Sequence, residues 1–195
     1  MCGIIGIVDK KNKIKKSLKE LNNIQHHRGP DESGFFEKKS IGLKLAMTRL
    51  AIIGVENAHQ PFVSDDGFVV IFNGEIFNVE DLRQKFVNSP YALSSNYEAE
   101  LIYILYREYG DRFLDLINGM FAISIFDPKR NSLFIARDRF GIKPLHFLKN
   151  NNLFCFASEI KPLLECIDNK SSIDSESIES FFSVGYVSNP STIYS

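Results

Sequence analysis

The chain has 195 residues, 44% of them hydrophobic and 12% aromatic, which suffices for one domain with a sizeable core. Its formal net charge of −1 lacks the basic excess that is typical of nucleic-acid-binding proteins. The 3 cysteines do not make a disulfide framework or a metal-ligand pattern and favour a reducing cytoplasm, and no apolar stretch reaches the ~20 residues of a membrane span.

The first half of the chain predicts mostly strands. In chain order, we expect a strand over Gly3–Asp9, a helix over 14–25, strands over Gly34–Glu37 and Leu43–Ile53, a turn at Asp65–Gly67 and a strand over Phe68–Phe72. The strands are short apolar runs rich in β-branched or aromatic residues. The helix repeats apolar residues at three- and four-residue spacing, with lysines opposite.

The second half combines helices with further strands. In chain order, we expect a helix capped by Asn78, a helix over 97–109 that ends at Gly110, strands over Phe121–Asp127, Ser132–Arg137 and Leu153–Ala157, a helix capped by Ser158, and a last helix that begins at Asp174. Because hairpin-length turns separate the strands, the sheets should be largely antiparallel, as in an α+β fold.

Cys2 is the most informative residue, because removal of Met1 would place its thiol and a free α-amine on one Cα. An α-amine has a pKa of roughly 7.7–8.0, so part of it is neutral at physiological pH and can take the thiol proton. The resulting thiolate is a nucleophile. On its own, Cys2 is more simply a small residue tolerated at a chain start, and the rest of the chain reverses that balance.

Other segments place polar groups at strand ends and turns, where catalytic groups are often found. Arg49 interrupts an apolar strand, which predicts either a carboxylate ligand or an internal salt bridge. Asn73-Gly74 ends another strand and is either a turn or a pair of oxyanion donors. The segments 26–34 and 137–145 are dense in charge, Gly and Pro, and a surface turn is their simplest interpretation.

Taken together and in order, these segments resemble one family. The matching motifs are Met1–Gly6, the His27–Asp31 segment, Arg49-Leu50, Asn73–Ile76, Gly119–Ala122, Arg137–Leu145 and Ala157–Lys161. They look like the glutaminase domain of glutamine-hydrolysing asparagine synthetases, a class II glutamine amidotransferase domain. The resemblance covers nearly the whole chain and implies an N-terminal-nucleophile hydrolase fold, a four-layer αββα sandwich of two antiparallel sheets.

The resemblance also implies roles for individual residues. Cys2 would attack the side-chain amide of glutamine and form a thioester, and Asn73 and Gly74 would stabilise the oxyanion. The residues expected to bind glutamine are Arg49, Leu50, Ala51, Ile52, Ile53, Asn73, Gly74, Glu75 and Glu98. Glu98 stands where the family usually has aspartate, and Tyr97 is bulkier than expected. The extra methylene of Glu98 should alter the affinity for glutamine more than the chemistry. No metal ligand is expected in this chain.

The resemblance further implies a division of the chain. Residues 1–167 would form the amidotransferase domain, and residues 168–195 would form a linker and the start of a C-terminal synthetase domain. That domain would take up ATP and magnesium and amidate aspartate or a related acceptor, whereas the present chain would hold no cofactor. The expected partners are glutamine and the synthetase domain, without nucleic acid or membrane, and a homodimer is left open. The expected location is the cytoplasm.

Two other interpretations remain open at this point. In the first, the domain is a catalytically silent docking module, for which the Glu98 departure is the supporting feature. In the second, the chain belongs to another class II amidotransferase, such as an amidophosphoribosyl or glucosamine-phosphate enzyme. Pro30 and the segment 47–53 favour the asparagine synthetase branch.

Overall fold

Short antiparallel strands dominate the computed structural model, which describes residues 1–51, 59–86, 93, 97–167 and 172–194. The strands are β1 (Gly3–Asp9), β2 (Glu32–Lys38), β3 (Leu43–Arg49), β4 (Phe62–Val63), β5 (Val69–Ile76), β6 (Gly119–Asp127), β7 (Ser132–Arg137), β8 (His146–Lys149) and β9 (Leu153–Ala157). The helices are α1 (Leu18–Asn23), α2 (Val79–Gln84), α3 (Glu98–Tyr109), α4 (Ile160–Leu164) and α5 (Ser175–Val184).

The strands form two antiparallel sheets. One sheet has the order β2-β3-β1-β9-β8, and the other has the order β4-β5-β6-β7. In the first sheet, β1 is central and pairs with β3 on one side and β9 on the other. This position fixes the chain start that carries Cys2 against two neighbouring strands.

Side-chain alternation along these strands produces four layers. Because successive strand residues point to opposite faces, each sheet buries one face against helices and the other against the second sheet. In β1, Ile5 and Ile7 pack with α1 and α4, whereas Ile4 belongs to the core between the sheets. In the second sheet, Val70 packs with α2 and α3, whereas Ile71 faces the first sheet. The expected αββα sandwich is confirmed.

Several element boundaries differ from the sequence predictions for local reasons. The first helix begins at Leu18 because Ser17 and Glu20 form a reciprocal capping box, with Ser17 Oγ accepting from the Glu20 N–H and Glu20 accepting from the Ser17 N–H. The strand predicted over Leu43–Ile53 ends at Arg49, and residues 52–58 lie outside the described part of the chain. Strands β4 and β8 were not predicted.

Of the two predicted helix caps, Ser158 was wrong, whereas Asn78 is confirmed as the N-cap residue of α2. Ser158 does not cap α4, whose N-cap is Glu159; instead the Ser158 hydroxyl accepts a 3.0 Å bond from the Ile4 N–H beside the chain start. Asn78 occupies the N-cap of α2 without a capping bond. Its amide donates to the Leu116 carbonyl and accepts from the Asn118 N–H instead.

The last predicted helix is present as α5, with Asp174 at its N-cap. Its Phe182 side chain is 82% exposed. The domain boundary predicted after residue 167 adjoins residues 168–171, which lie outside the described chain, and stays a prediction. No helix among the described residues combines the length and apolar character needed to cross a membrane.

Candidate active site

Three residues that the sequence assigns to the central chemistry lie at the layer between the two sheets. Each lies two positions from a residue of the inter-sheet core, and therefore on the same strand face: Cys2 from Ile4, Arg49 from Met47 and Asn73 from Ile71. The β1–β3 register pairs Gly3 with Thr48, which brings Cys2 and Arg49 to the same end of that strand pair.

Cys2 is half-buried and is positioned through both its thiol and its backbone. Its Sγ lies 3.9 Å from the Leu50 carbonyl oxygen, and its own carbonyl accepts a 3.1 Å bond from Arg28 Nε. The Glu159 carboxylate in turn contacts Arg28 Nη1 at 3.3 Å and His27 Nε2 at 2.7 Å. His27, Arg28 and Glu159 therefore tie the chain start to the end of β9.

Arg49 is 5% exposed, and its guanidinium is paired inside the protein. Its Nη1 lies 3.2 Å from Glu32 Oε2, so the internal salt bridge that the sequence left open is present. A buried cation without such a partner would be costly.

The backbone that follows Arg49 is held by the charged segment before β2. The Asp31 N–H donates to the Arg49 carbonyl at 3.1 Å, and Asp31 Oδ2 accepts from the Ala51 N–H at 2.8 Å. A Cβ at Gly29 would lie 2.5 Å from the Arg49 carbonyl carbon, so only glycine allows this close approach. The predicted site residues Ile52 and Ile53 lie outside the described residues.

Asn73 presents a buried hydrogen-bond donor in the middle of a sheet. The residue is 1% exposed, and its Nδ2 has no hydrogen-bond partner among the described residues. Because buried polar groups are nearly always paired, an orphaned donor at this position is suited to an oxygen supplied by a ligand. Gly74, the other candidate donor, is confined by its neighbour strand, since a Cβ there would lie 2.3 Å from the Met120 carbonyl oxygen.

The two candidate carboxylates lie close enough to influence one another. Glu75 is exposed near the end of β5, and Glu98 begins α3 with its Oε1 accepting a 2.7 Å bond from the Ile76 N–H. Burial raises the pKa of Glu98, and the nearby charge of Glu75 raises it further, although the Ile76 bond and Arg83 oppose the shift. A cation beside the two carboxylates would stabilise the charged form of Glu98.

The other two cysteines do not resemble nucleophiles. Donation of a hydrogen bond by the Cys155 thiol to Cys166, together with burial, raises the pKa of Cys155 far above its usual range, and both residues pack in the core beneath α1 and α4. Among the residues that the structure describes, no cluster of three or more His, Cys, Asp or Glu side chains is arranged to hold a metal ion.

The charged segment 137–145 forms a tightly hydrogen-bonded loop after β7. The buried Asp138 carboxylate accepts from the backbone N–H groups of Phe121, Phe140, Ile142 and Lys143, at 2.9–3.3 Å. Arg137 donates to the carbonyls of Gly141 and Lys143. Burial alone would raise the pKa of Asp138, but these four donors outweigh burial and lower it.

We expect the Asp138→Asn variant to lose about 2–4 kcal/mol of unfolding free energy at pH 7, because an amide NH₂ would face backbone N–H donors. The pKa of Asp138 is lowered on folding, so its contribution is complete above the unfolded value of 3.8 and is lost as pH falls below it. Urea unfolding at several pH values measures this difference. The exposed Asp115→Asn control should change stability by less than about 0.5 kcal/mol, and an equal loss in both variants would contradict the assignment.

Comparison with solved structures identifies the fold. The chain superposes on the glutamine phosphoribosylpyrophosphate amidotransferase of B. subtilis with a TM-score of 0.64 and 19% identity, over 85% of this chain and 43% of that one. An allosteric regulatory enzyme of purine biosynthesis gives a TM-score of 0.69 at 18% identity, with the same coverages. At this identity the likeness shows the fold, which is that of the N-terminal-nucleophile hydrolase amidotransferases.

Sequence comparison identifies the family. The glutamine amidotransferase domain family matches residues 1–195, and the chain belongs to it. The chain is 35% identical to asparagine synthetase [glutamine-hydrolyzing] 1 of Bacillus subtilis, over 99% of this chain and 31% of that protein. It is 34% identical to putative asparagine synthetase [glutamine-hydrolyzing] 2 of Methanocaldococcus jannaschii, over 100% of this chain and 41% of that protein. The chain thus spans well under half the length of these relatives.

The sequence interpretation missed the residues that support the candidates. Glu32 was seen only as part of a charged turn, and Asp31 and Glu159 only as parts of the family motifs. His59, which contacts Glu32, was not singled out. The signal that marks Asp31 and Glu32 is their place directly before and at the start of a strand that pairs with the Arg49 strand.

Proposed function

We propose that this domain hydrolyses glutamine to glutamate and ammonia through a thioester on Cys2. The Cys2 thiolate attacks the side-chain amide carbon, and the tetrahedral oxyanion accepts hydrogen bonds from Asn73 Nδ2 and the Gly74 N–H. Protonation of the amide nitrogen and collapse of this intermediate break the carbon–nitrogen bond, and ammonia leaves. Water then attacks the thioester and releases glutamate and the thiol.

In this proposal the α-amine of Cys2, exposed by removal of Met1, accepts the thiol proton and returns it to the leaving nitrogen. Met1 is 56% exposed, which supports access by a processing enzyme. No other base is required at the thiol. His27 and Arg28 are occupied by Glu159 and serve as supports for the chain start.

The rest of the glutamine molecule would be held by charge. We assign the α-carboxylate to the Arg49 guanidinium and to the backbone of 50–53, and the α-ammonium to Glu75 and Glu98. Because two carboxylates lie near one another and one of them is half-buried, this place favours binding of a cation over binding of a neutral ligand. The raised pKa of Glu98 fits this role, because binding an ammonium would offset the desolvation of its charged form.

The observation that carries the proposal is the placement of Cys2 and the unpartnered Asn73 donor in one layer, in a chain of the amidotransferase family. Buried polar groups are nearly always paired, and no structural partner among the described residues accounts for the Asn73 amide nitrogen. An oxyanion formed on Cys2 supplies the missing acceptor.

A labelling experiment tests the proposal. The protein is incubated with a diazoketone analogue of glutamine, and its intact mass is compared with that of Cys2→Ala and of Cys166→Ala. We expect a single adduct on the wild type and on Cys166→Ala, none on Cys2→Ala, and loss of Met1 in the reactive species. A processed, folded protein that forms no adduct would overturn the glutaminase and favour the docking module.

We further propose that the ammonia serves an ATP- and magnesium-dependent synthetase domain that makes asparagine or a related amide. The similarity to proteins named glutamine-hydrolysing asparagine synthetases supports this assignment. The acceptor would be chosen in that domain. Coupled assays with the full-length protein, aspartate and ATP test it, and ammonia release without asparagine formation would contradict aspartate as the acceptor.

The role of Glu98 predicts a pH-dependent affinity for glutamine. Because burial raises its pKa, we expect binding to weaken as pH falls through a value above 4.5, where protonation removes the partner of the ammonium. Glu98→Gln should weaken binding about 10- to 100-fold at pH 7, the scale of one hydrogen bond to a charged group. Calorimetry on the non-hydrolysing Cys2→Ala protein measures both effects. The exposed Glu80→Gln variant is the control, and a pH profile unchanged by Glu98→Gln would refute the role.

A further inference from the structure

Glu32 is fixed opposite Arg49 by the sheet itself. Strands β2 and β3 are antiparallel neighbours, and their register pairs Glu32 directly with Arg49. Side chains at such positions extend from the same face of the sheet and meet across the strands. The resulting 3.2 Å contact between Glu32 Oε2 and Arg49 Nη1 joins the buried Arg49 side chain, which is 7% exposed, to the Glu32 side chain, which is 29% exposed.

The second oxygen of the same carboxylate is also engaged. Glu32 Oε1 lies 2.7 Å from His59 Nδ1. The His59 backbone N–H donates to the Tyr97 hydroxyl at 3.0 Å, which places the histidine relative to the start of α3. Glu32 is therefore held between a buried arginine on one side and a histidine anchored by Tyr97 on the other.

We propose that Glu32 is a positioning residue that sets the affinity of Arg49 for the α-carboxylate of the substrate; this inference rests on the proposed function. A guanidinium recognises a carboxylate through a planar fork, so its orientation decides the strength of the contact. Glu32 fixes that orientation through one nitrogen and provides the counter-charge that a buried cation needs.

Glu32 contacts both Arg49 and His59. These two contacts argue against a model in which Glu32 merely competes with the substrate carboxylate for Arg49. A carboxylate that left Arg49 to admit the substrate would also strain or break its contact with His59 and would turn from a strand-paired position. Sharing of the guanidinium between Glu32 and the substrate avoids both costs. His59 and Tyr97 then act through Glu32, and not on the substrate itself.

The positioning model and the competitor model predict opposite changes in glutamine affinity for a Glu32→Gln substitution. Binding of L-glutamine and of γ-aminobutyramide, which lacks the α-carboxylate, is measured on Cys2→Ala protein by calorimetry and ligand-observed NMR. If Glu32 positions Arg49, Glu32→Gln weakens glutamine binding about tenfold, the scale of one charge-assisted hydrogen bond, and leaves γ-aminobutyramide unchanged within about twofold. Glu37→Gln, on the same strand but facing Lys44 by register, is the matched control and should alter neither ligand.

Each other outcome decides against the inference. Tighter glutamine binding by Glu32→Gln would identify Glu32 as a competing carboxylate, and unchanged binding would show that it does not act on Arg49. An equal loss for both ligands would indicate general damage to the pocket. Failure of the Cys2→Ala protein with intact Glu32 to bind glutamine would overturn the proposed function itself, which separates the two failures.

Discussion

Replacing Cys2 with alanine is expected to lower kcat for glutamine hydrolysis by about 10⁴-fold or more, because it removes the nucleophile on which the covalent intermediate forms. Cys2→Ser should be nearly as inactive, since a hydroxyl is a far weaker nucleophile than a thiolate at neutral pH. Glutamate release measured by a coupled assay gives kcat and KM for each variant.

The fold should survive this substitution, which separates chemistry from stability. Cys2 precedes β1 and is only half-buried, so its loss removes little packing. We expect the urea midpoint of Cys2→Ala to match that of the wild type. The control is Cys166→Ala, which changes a buried thiol beneath the first sheet and should keep full activity while costing stability. Residual hydrolysis above ~1% in Cys2→Ala would contradict the thioester route.

The α-amine adds a second test of the same residue. If it is the base, activity should scale with the fraction of molecules that have lost Met1, as read from the intact mass. Molecules that retain Met1 carry an amide at Cys2, which cannot accept the thiol proton. Full activity in a preparation that retains Met1 would show that another group serves as base.

Local sequence patterns predicted the parts of the fold that depend on local chemistry. Strands β1, β7 and β9 were predicted with the bounds that the structure has, because each is a short apolar run between turn residues. Strand β8 was missed because it is a short edge strand whose Phe147 is 70% exposed, so it lacks a buried alternating face. Ser158 has the composition of a cap but bonds to a strand 154 positions away in the sequence, which no local pattern reveals.

In the candidate site too, local patterns predicted some residues, and others are identified only by the fold. Rare residues at predicted strand ends marked Cys2, Arg49 and Asn73. In the structure Asn73 lies inside β5, which continues to Ile76, and strand periodicity puts all three residues on faces directed to one layer. The partners of these residues depend on strand register and on where distant segments return. Glu32 is identified only by its pairing with Arg49, and His59 only by its contact with Glu32.

Asn73→Ala is expected to lower kcat about 10²- to 10³-fold, the usual effect of removing one oxyanion donor, with little change in KM. The donor would act on charge that develops only in the transition state, so substrate binding should be spared. Asn73→Asp should be more damaging than alanine, because a carboxylate would repel the developing oxyanion. Steady-state kinetics with glutamine measure both variants.

Stability gives the decisive contrast, because Asn73 Nδ2 has no partner to lose among the described residues. Asn73→Ala should therefore change the free energy of unfolding by less than about 1 kcal/mol. Asn78, soon after the same strand, is the matched control, since its amide bonds both Leu116 and Asn118. Asn78→Ala should lose about 1–2 kcal/mol without a selective loss of kcat. If Asn73→Ala instead lost stability and kept its kcat, the amide would be a structural group and the oxyanion would need another donor.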